Sequence, residues 1–314
     1  MSKWTHADIP VQDGKLAIIT GSNSGIGFEA ARALAKRGAR IVLACRSEAK
    51  AREAEAQILA EHPAAELEFI ALDLADLDSV RSFAAAAHER FDRLDLLINN
   101  AGVMMPPAST TRQGFELQFG VNHLGHFALT GLLLGLLEAA PGARVVNVSS
   151  QAHRQGRMNF DDLDFEDRRY DRMAAYGQSK LANLLFTFEA VRRFAAAGVD
   201  VLVAAAHPGW TRTNLQKHWG LADLLNPLLG MSPAKGALPT LRAATDPNVA
   251  PGDYYGPRGL YQMWGYPKKV GTTKAARSEA DAAKLWEISE LRTGIHYPPG
   301  PAELTSAEAP ASPG

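Results

Sequence analysis

Short apolar runs alternate with longer amphipathic stretches along most of the chain. Leu16 to Ile19 has the length and branched content of a buried strand, and Phe28 to Lys36, stopped by Gly38, has the spacing of a helix. Ile41 to Ala44 then reads as a strand and Glu48 to Ala60 as a helix. The beat continues through Leu67 to Leu72, Leu77 to Phe91, Leu94 to Ile98, Phe115 to Leu137, Val145 to Val148, Tyr176 to Ala196 and Val201 to Ala204. So regular an alternation predicts an α/β fold with a doubly wound parallel sheet, in three α/β/α layers joined by right-handed crossovers.

After Pro208 the beat weakens and prolines punctuate the chain at Pro227, Pro233, Pro239, Pro247, Pro251 and Pro257. This stretch predicts an irregular, partly helical extension that covers the substrate at one end of the sheet. Asp281 to Leu291 is the expected last helix, and Pro298 to Gly314 has the composition of a mobile tail. No repeat or linker divides the sequence. Residues 1–314 are therefore expected to form a single domain, with a core over about 14–250, the lobe and last helix over about 208–297 and the tail over about 298–314.

Composition narrows the classes. The chain has 314 residues, 46% hydrophobic and 21% charged, with 33 basic against 34 acidic side chains, so no nucleic-acid partner is expected. A single cysteine, Cys45, excludes an internal disulfide and suits a reducing compartment. Met1 to Gly14 is polar and lacks the apolar run of a signal peptide, and Phe127 to Leu137 is too short to span a bilayer. The expectation is a cytoplasmic protein without a membrane anchor, either a homo-oligomer or a monomer. His123 and His126 have no further ligands at fitting spacing, so no metal is expected. The acidic run Asp161 to Asp167, balanced by Arg157, Arg168, Arg169 and Arg172, reads as a solvated loop.

The first strand ends in Thr20-Gly21-Ser22-Asn23-Ser24-Gly25-Ile26-Gly27, directly before a helix. Glycines there let the backbone approach a pyrophosphate held at the positive helix end, as in a Rossmann fold. At the tip of the second strand, where a carboxylate would favour NAD(H), the sequence has Cys45-Arg46. The Arg46 guanidinium suits a 2′-phosphate, so NADP(H) is favoured over NAD(H), with Lys36 or Arg37 as possible helpers. Tyr176 and Lys180, four apart on a helix, share a face. An ammonium beside a phenol favours the phenolate, and together with the positive nicotinamide ring in a closed site it would acidify the tyrosine. Ser149-Ser150 falls at the tip of the fifth strand and Asn99-Asn100-Ala101-Gly102 at the tip of the fourth, with Asn122 in the helix that follows.

Together these motifs, in this order over about residues 14 to 215, resemble the short-chain dehydrogenase/reductase family. The resemblance implies a catalytic set of Asn122, Ser150, Tyr176 and Lys180. Tyr176 would exchange the proton, Ser150 hold the reacting oxygen, Lys180 hold the ribose and tune Tyr176, and Asn122 fix a relay water. It also implies cofactor contacts from Gly21 to Gly27, from Asp73 and Leu74, from Asn100 to Gly102, and from Pro208, Gly209, Thr211 and Thr213. Leu43 to Arg46, Gly120 to Phe127 and Ser179 to Asn183 look most like its retinol dehydrogenase-like branch.

Met104, Met105, Trp210, Leu215, Trp219, Met231, Tyr254, Tyr255 and Trp264 fall where substrate loops are expected, which favours a bulky, apolar small-molecule aldehyde or ketone and its alcohol. A non-catalytic NADPH-binding sensor and a C=C double-bond reductase are the rival readings. The intact Ser150, Tyr176 and Lys180 weigh against the first.

Overall fold

The computed structural model describes residues 3–212 and 230–298. The predicted tail beyond Pro298, Thr213, Leu215 and Trp219 lie outside the described residues. Eight strands form one sheet in the order β3-β2-β1-β4-β5-β6-β7-β8. They are β1 (Leu16–Thr20), β2 (Arg40–Cys45), β3 (Leu67–Ala71), β4 (Leu96–Asn99), β5 (Arg144–Val148), β6 (Leu202–Ala206), β7 (Tyr254–Pro257) and β8 (Pro267–Lys269). The first seven pair in parallel, and β8 runs antiparallel to β7 at the edge. The chain reverses direction between β3 and β4, both reached outward from β1, so a crevice opens beyond the carboxyl ends of β1 and β4.

Alternation along β1 builds a core on each side. Leu16 and Ile18 face one layer, with α3 (Leu77–Arg90), α5 (Gly125–Leu132) and α7 (Arg172–Ala197). Ala17 and Ile19 face the other, with α1 (Gly25–Ala35), α2 (Glu48–Glu61) and α8 (Pro233–Thr245). The expected single helix over Phe115 to Leu137 is broken. It comprises α4 (Leu117–Phe119), a π-turn over Gly120–Leu124, α5 and α6 (Leu134–Glu138).

Within residues 230–298, after Pro208, the chain is more regular than its prolines predict. Pro233 starts α8, where a missing N–H costs nothing, and β7 and β8 extend the sheet. The last helix, α9 (Glu279–Thr293), lies against α7 and carries a fully buried Trp286. Trp286 and Tyr297 pack edge-on and tilted against Phe127, at 5.0 and 4.9 Å between ring centroids, and the Tyr297 hydroxyl donates to the Phe127 carbonyl. Gly131 makes room for that ring, since a Cβ there would sit 2.3 Å from it. Trp286→Ala should therefore cost about 3–5 kcal/mol, measured by urea unfolding; a loss below about 1 kcal/mol would mean that the C-terminal helix is not part of the cooperative core.

The acidic run is only partly solvated: Asp161, Glu166 and Asp167 are exposed, but the rest is packed. Leu163 is buried, Asp164 pairs with Arg292 of α9 at 2.6 Å, and Asp162 pairs with Arg168 at 3.2 Å. The Gln178 amide of α7 donates to the Leu163 carbonyl, pinning this segment on the helix that carries Tyr176.

Candidate active site

Six segments converge on the crevice, at the ends of β1, β2, β4, β5 and β6 and from α7. The loop after β1 turns sharply at Gly21 (φ 66°), where a Cβ would meet Ala101 at 3.0 Å, and at Gly27 a Cβ would lie 2.5 Å from the Gly21 carbonyl and the Asn100 amide. Side chains at either position would fill the cradle. The result is a cleft of about 460 Å³ lined by Gly21, Asn23 to Gly27, Arg46, Asn100 to Gly102, Tyr176, Lys180 and Pro208. It also takes in Ser149 at the tip of β5, and Lys50, Val103 and Val148, which the motif reading missed. Lys50 had a local signal, because Ser47 caps α2 and sets Lys50 on its first turn beside Arg46. These residues fit a dinucleotide: glycine backbone and a helix start for a pyrophosphate, and two cations where a ribose phosphate would lie.

Several expected contacts lie elsewhere. Ser22 is buried, with its hydroxyl 3.4 Å from the Cys45 sulfur. Leu74 is buried, and Asp73 accepts from the Ala75 N–H while its other oxygen lies 3.8 Å from Arg46. Neither Asp73 nor Leu74 lines the cleft. Lys36 and Arg37 line a separate surface pocket with His6, where Arg37 donates to the His6 carbonyl, so neither is placed to help Arg46.

A second cavity of about 440 Å³ adjoins the first and shares Ile26, Tyr176 and Pro208 with it. Ser150, Gly209 and Thr211 line it, together with Met104 and Trp210 from the expected apolar set. Met105, Met231, Tyr254 and Tyr255 are buried and do not line it, and Trp264 stacks beside Trp210 at 5.9 Å. Met173 and Met263 were missed. Met173 lies one helical turn before Tyr176, whereas Met263 arrives on the β7–β8 connection, for which the sequence offers no local signal. Gln151 also reaches this cavity, and its amide donates to Gln262, which accepts in turn from the buried His207.

Tyr176 sits where the two cavities meet. Asp171 caps α7, accepting from the Ala174 N–H, so the helix begins four residues earlier than its motif suggests and holds Tyr176 in its second turn. Ser150 follows β5 and faces the phenol. Burial pushes the phenol up to about 12, against a smaller lowering by the Ser150 hydroxyl. The acidification expected from Lys180 and a nicotinamide ring together belongs to the closed, cofactor-bound site; in the protein alone burial governs the phenol. Lys180 is itself brought down to about 8 by burial, and its ammonium donates to the Val148 carbonyl at 3.1 Å, 5.7 Å from the Tyr176 ring centre. Desolvation outweighs the pair's attraction here.

Asn122 lies on the π-turn, fully buried and outside both cavities. Its amide clamps the Val103 peptide, accepting from the N–H at 2.8 Å and donating to the carbonyl at 2.9 Å, and it also donates to Ser179. His123 bonds Ser289 of α9, and His126 bridges the Thr20 hydroxyl and the Asn122 carbonyl.

This sheet, glycine cradle and paired cleft define a nucleotide-dependent oxidoreductase of one family: the chain belongs to the short-chain dehydrogenases, whose family model matches residues 15–223. Within that family it falls on the retinol dehydrogenase-like branch. Retinol dehydrogenase 13 of Homo sapiens is 44% identical over 309 residues, covering 94% of this chain and 88% of its own length. Among solved structures, an uncharacterized protein from Mycobacterium paratuberculosis superposes with a TM-score of 0.80 at 42% identity, over 95% of this chain and all of its own. A short chain dehydrogenase from Shigella flexneri 2a, complexed with NADP, superposes at 0.64 with 25% identity, over 78% and 97% of the two chains. Among the described residues, no helix is long and apolar enough to cross a membrane.

Proposed function

We propose that this oxidoreductase reduces a bulky, mainly apolar aldehyde or ketone to its alcohol with NADPH. The observation that carries the reading is the position of Tyr176, between a polar cleft shaped for a dinucleotide and a cavity walled by Met104, Met173, Trp210 and Met263. When bound, the nicotinamide supplies the hydride. Gly21 to Gly27 would hold its pyrophosphate and Lys180 its ribose. Ser150 hydrogen-bonds the substrate oxygen and stabilises the charge that gathers there. Tyr176, protonated at neutral pH because burial holds it near 12, donates the proton to that oxygen. Asn122 keeps the Val103 wall in place beside Lys180, close to which Gly102 also packs.

Support for NADP(H) comes from Arg46 and Lys50 in one cleft, and from the NADP found in the Shigella relative's structure. The retinol in the human relative's name is compatible with the thioether and indole walls, which adapt to long apolar chains. A spectrophotometric screen of NADPH and NADH against aldehydes, ketones and alcohols tests the proposal; silence across the whole panel, with NADPH bound, would favour a sensor. Arg46→Asp should cut the ratio of kcat/KM for NADPH over NADH about 30-fold, the worth of one charge-assisted contact of about 2 kcal/mol. An unchanged ratio would place the phosphate contact on another residue.

A further inference from the structure

His126 is a buried imidazole on α5 that the steps above do not use. Its Nδ1 lies 3.0 Å from the carbonyl oxygen of Asn122, and its Nε2 lies 2.9 Å from the Thr20 hydroxyl. Burial, with the nearby Lys180 ammonium, brings it down to about 4, so the ring is neutral at pH 7 and carries one proton. The partners decide where that proton sits. A carbonyl only accepts, so Nδ1 donates to Asn122, and Nε2 must accept from Thr20. Thr20 is arranged for this. Its oxygen already accepts the Asn100 and Ala101 N–H groups, each at 2.9 Å, and its other acceptor, the Ile98 carbonyl, is farther away at 3.4 Å. The opposite tautomer would set two lone pairs against each other at Asn122.

A continuous set of hydrogen bonds therefore runs from the Asn100–Ala101 backbone through the Thr20 hydroxyl and the His126 ring to the Asn122 carbonyl. One end is a wall of the nucleotide cleft. The other is the π-turn, a widened geometry that side-chain packing alone rarely maintains and that recurs at functional sites. We infer that His126 is a positioning residue that ties the turn carrying Asn122 to the nucleotide cradle, so that seating the nucleotide and orienting Asn122 are coupled through one ring. The inference rests on the oxidoreductase reading above.

Two substitutions separate the ends. Asparagine places a donor near the Nδ1 position and is too short for Thr20; glutamine reaches toward Thr20 and has nothing at Nδ1. His126→Gln is expected to lower kcat about tenfold with the NADPH dissociation constant, read by fluorescence, within about twofold. His126→Asn is expected to weaken NADPH binding about fivefold while kcat at saturating NADPH stays within about twofold. If both variants instead lose only thermal stability, with kcat and NADPH affinity unchanged in the folded protein, the ring is a packing element and the inference is wrong. Nitrogen-15 NMR of the wild-type imidazole gives a test that no variant's folding affects. A protonated Nδ1 with a bare Nε2 at neutral pH is expected; the reverse tautomer, or an imidazolium, overturns the bridge. Failure of the wild type to bind NADPH would sink the oxidoreductase reading, and the NMR result would still judge the bridge.

Discussion

Tyr176→Phe should lower carbonyl reduction about a thousandfold and leave NADPH affinity within about twofold. Phenylalanine keeps the ring, which is 9% exposed, and so preserves the wall shared by the two cavities. Only the hydroxyl facing Ser150 is lost. That hydroxyl carries a proton at neutral pH and faces the second cavity. Ser150 retains hydrogen-bonding ability but is far too weak an acid to replace it. Because burial holds the phenol near 12, its ionisation should not shape the reductive rate between roughly pH 6 and 9. A break near pH 8 would instead belong to Lys180, which burial brings down to about that value. Stopped-flow absorbance of NADPH gives the rate and fluorescence titration the affinity. A variant that keeps more than a tenth of wild-type turnover would mean that another group delivers the proton.

Most of the sheet and the cofactor cradle could be read from the sequence because each depends on local pattern. Runs such as Leu16 to Ile19 are apolar on both faces because both faces are covered, and a glycine loop between strand and helix has few other uses. What escaped depends on contacts between distant residues. The π-turn has the same apolar spacing as a plain helix. It is marked only by Gly120 and Gly125, where a Cβ would press on Thr111 at 2.3 Å and on the Leu74 carbonyl at 2.7 Å. Strands β7 and β8 were hidden by Pro257 and Pro267, tolerated because one ends its strand and the other begins an edge strand. The segment before α7 looked solvated because its charges were counted against neighbouring arginines, while Asp164 is paired with Arg292, far along the chain.

The same limit applies to the pair of Tyr176 and Lys180. Four-residue spacing does put tyrosine and lysine on one helical face, but it says nothing of how far apart their charged ends lie or how dry their surroundings are. With the Lys180 ammonium turned to the Val148 carbonyl, burial governs both groups and drives each toward its neutral form.

Lys180→Met is therefore expected to make the empty protein more stable while abolishing useful turnover. Lys180 is 4% exposed, its ammonium donates to the Val148 carbonyl, and Asn183 donates to that same oxygen. Among the described residues no carboxylate pairs with it. A fall from 10.5 to about 8 corresponds to a penalty of about 3 kcal/mol on the charged form. Methionine fills similar space without charge, and after the lost hydrogen bond, worth about 1 kcal/mol, a gain of about 1–2 kcal/mol at pH 7 should remain. The sign fixes the pH dependence. Below about pH 8 lysine is charged in both folded and unfolded chains and the full penalty applies. Between about 8 and 10.5 the unfolded chain holds a proton the folded one has released, so wild-type stability rises with pH and the advantage of methionine shrinks. Urea unfolding at pH 7 and pH 10, roughly the two sides of that window, measures both ends, while NADPH turnover should drop at least about a hundredfold. A methionine variant less stable than the wild type at pH 7 would show that the ammonium is well solvated in the folded protein, and that its cost is not being borne for the sake of the reaction.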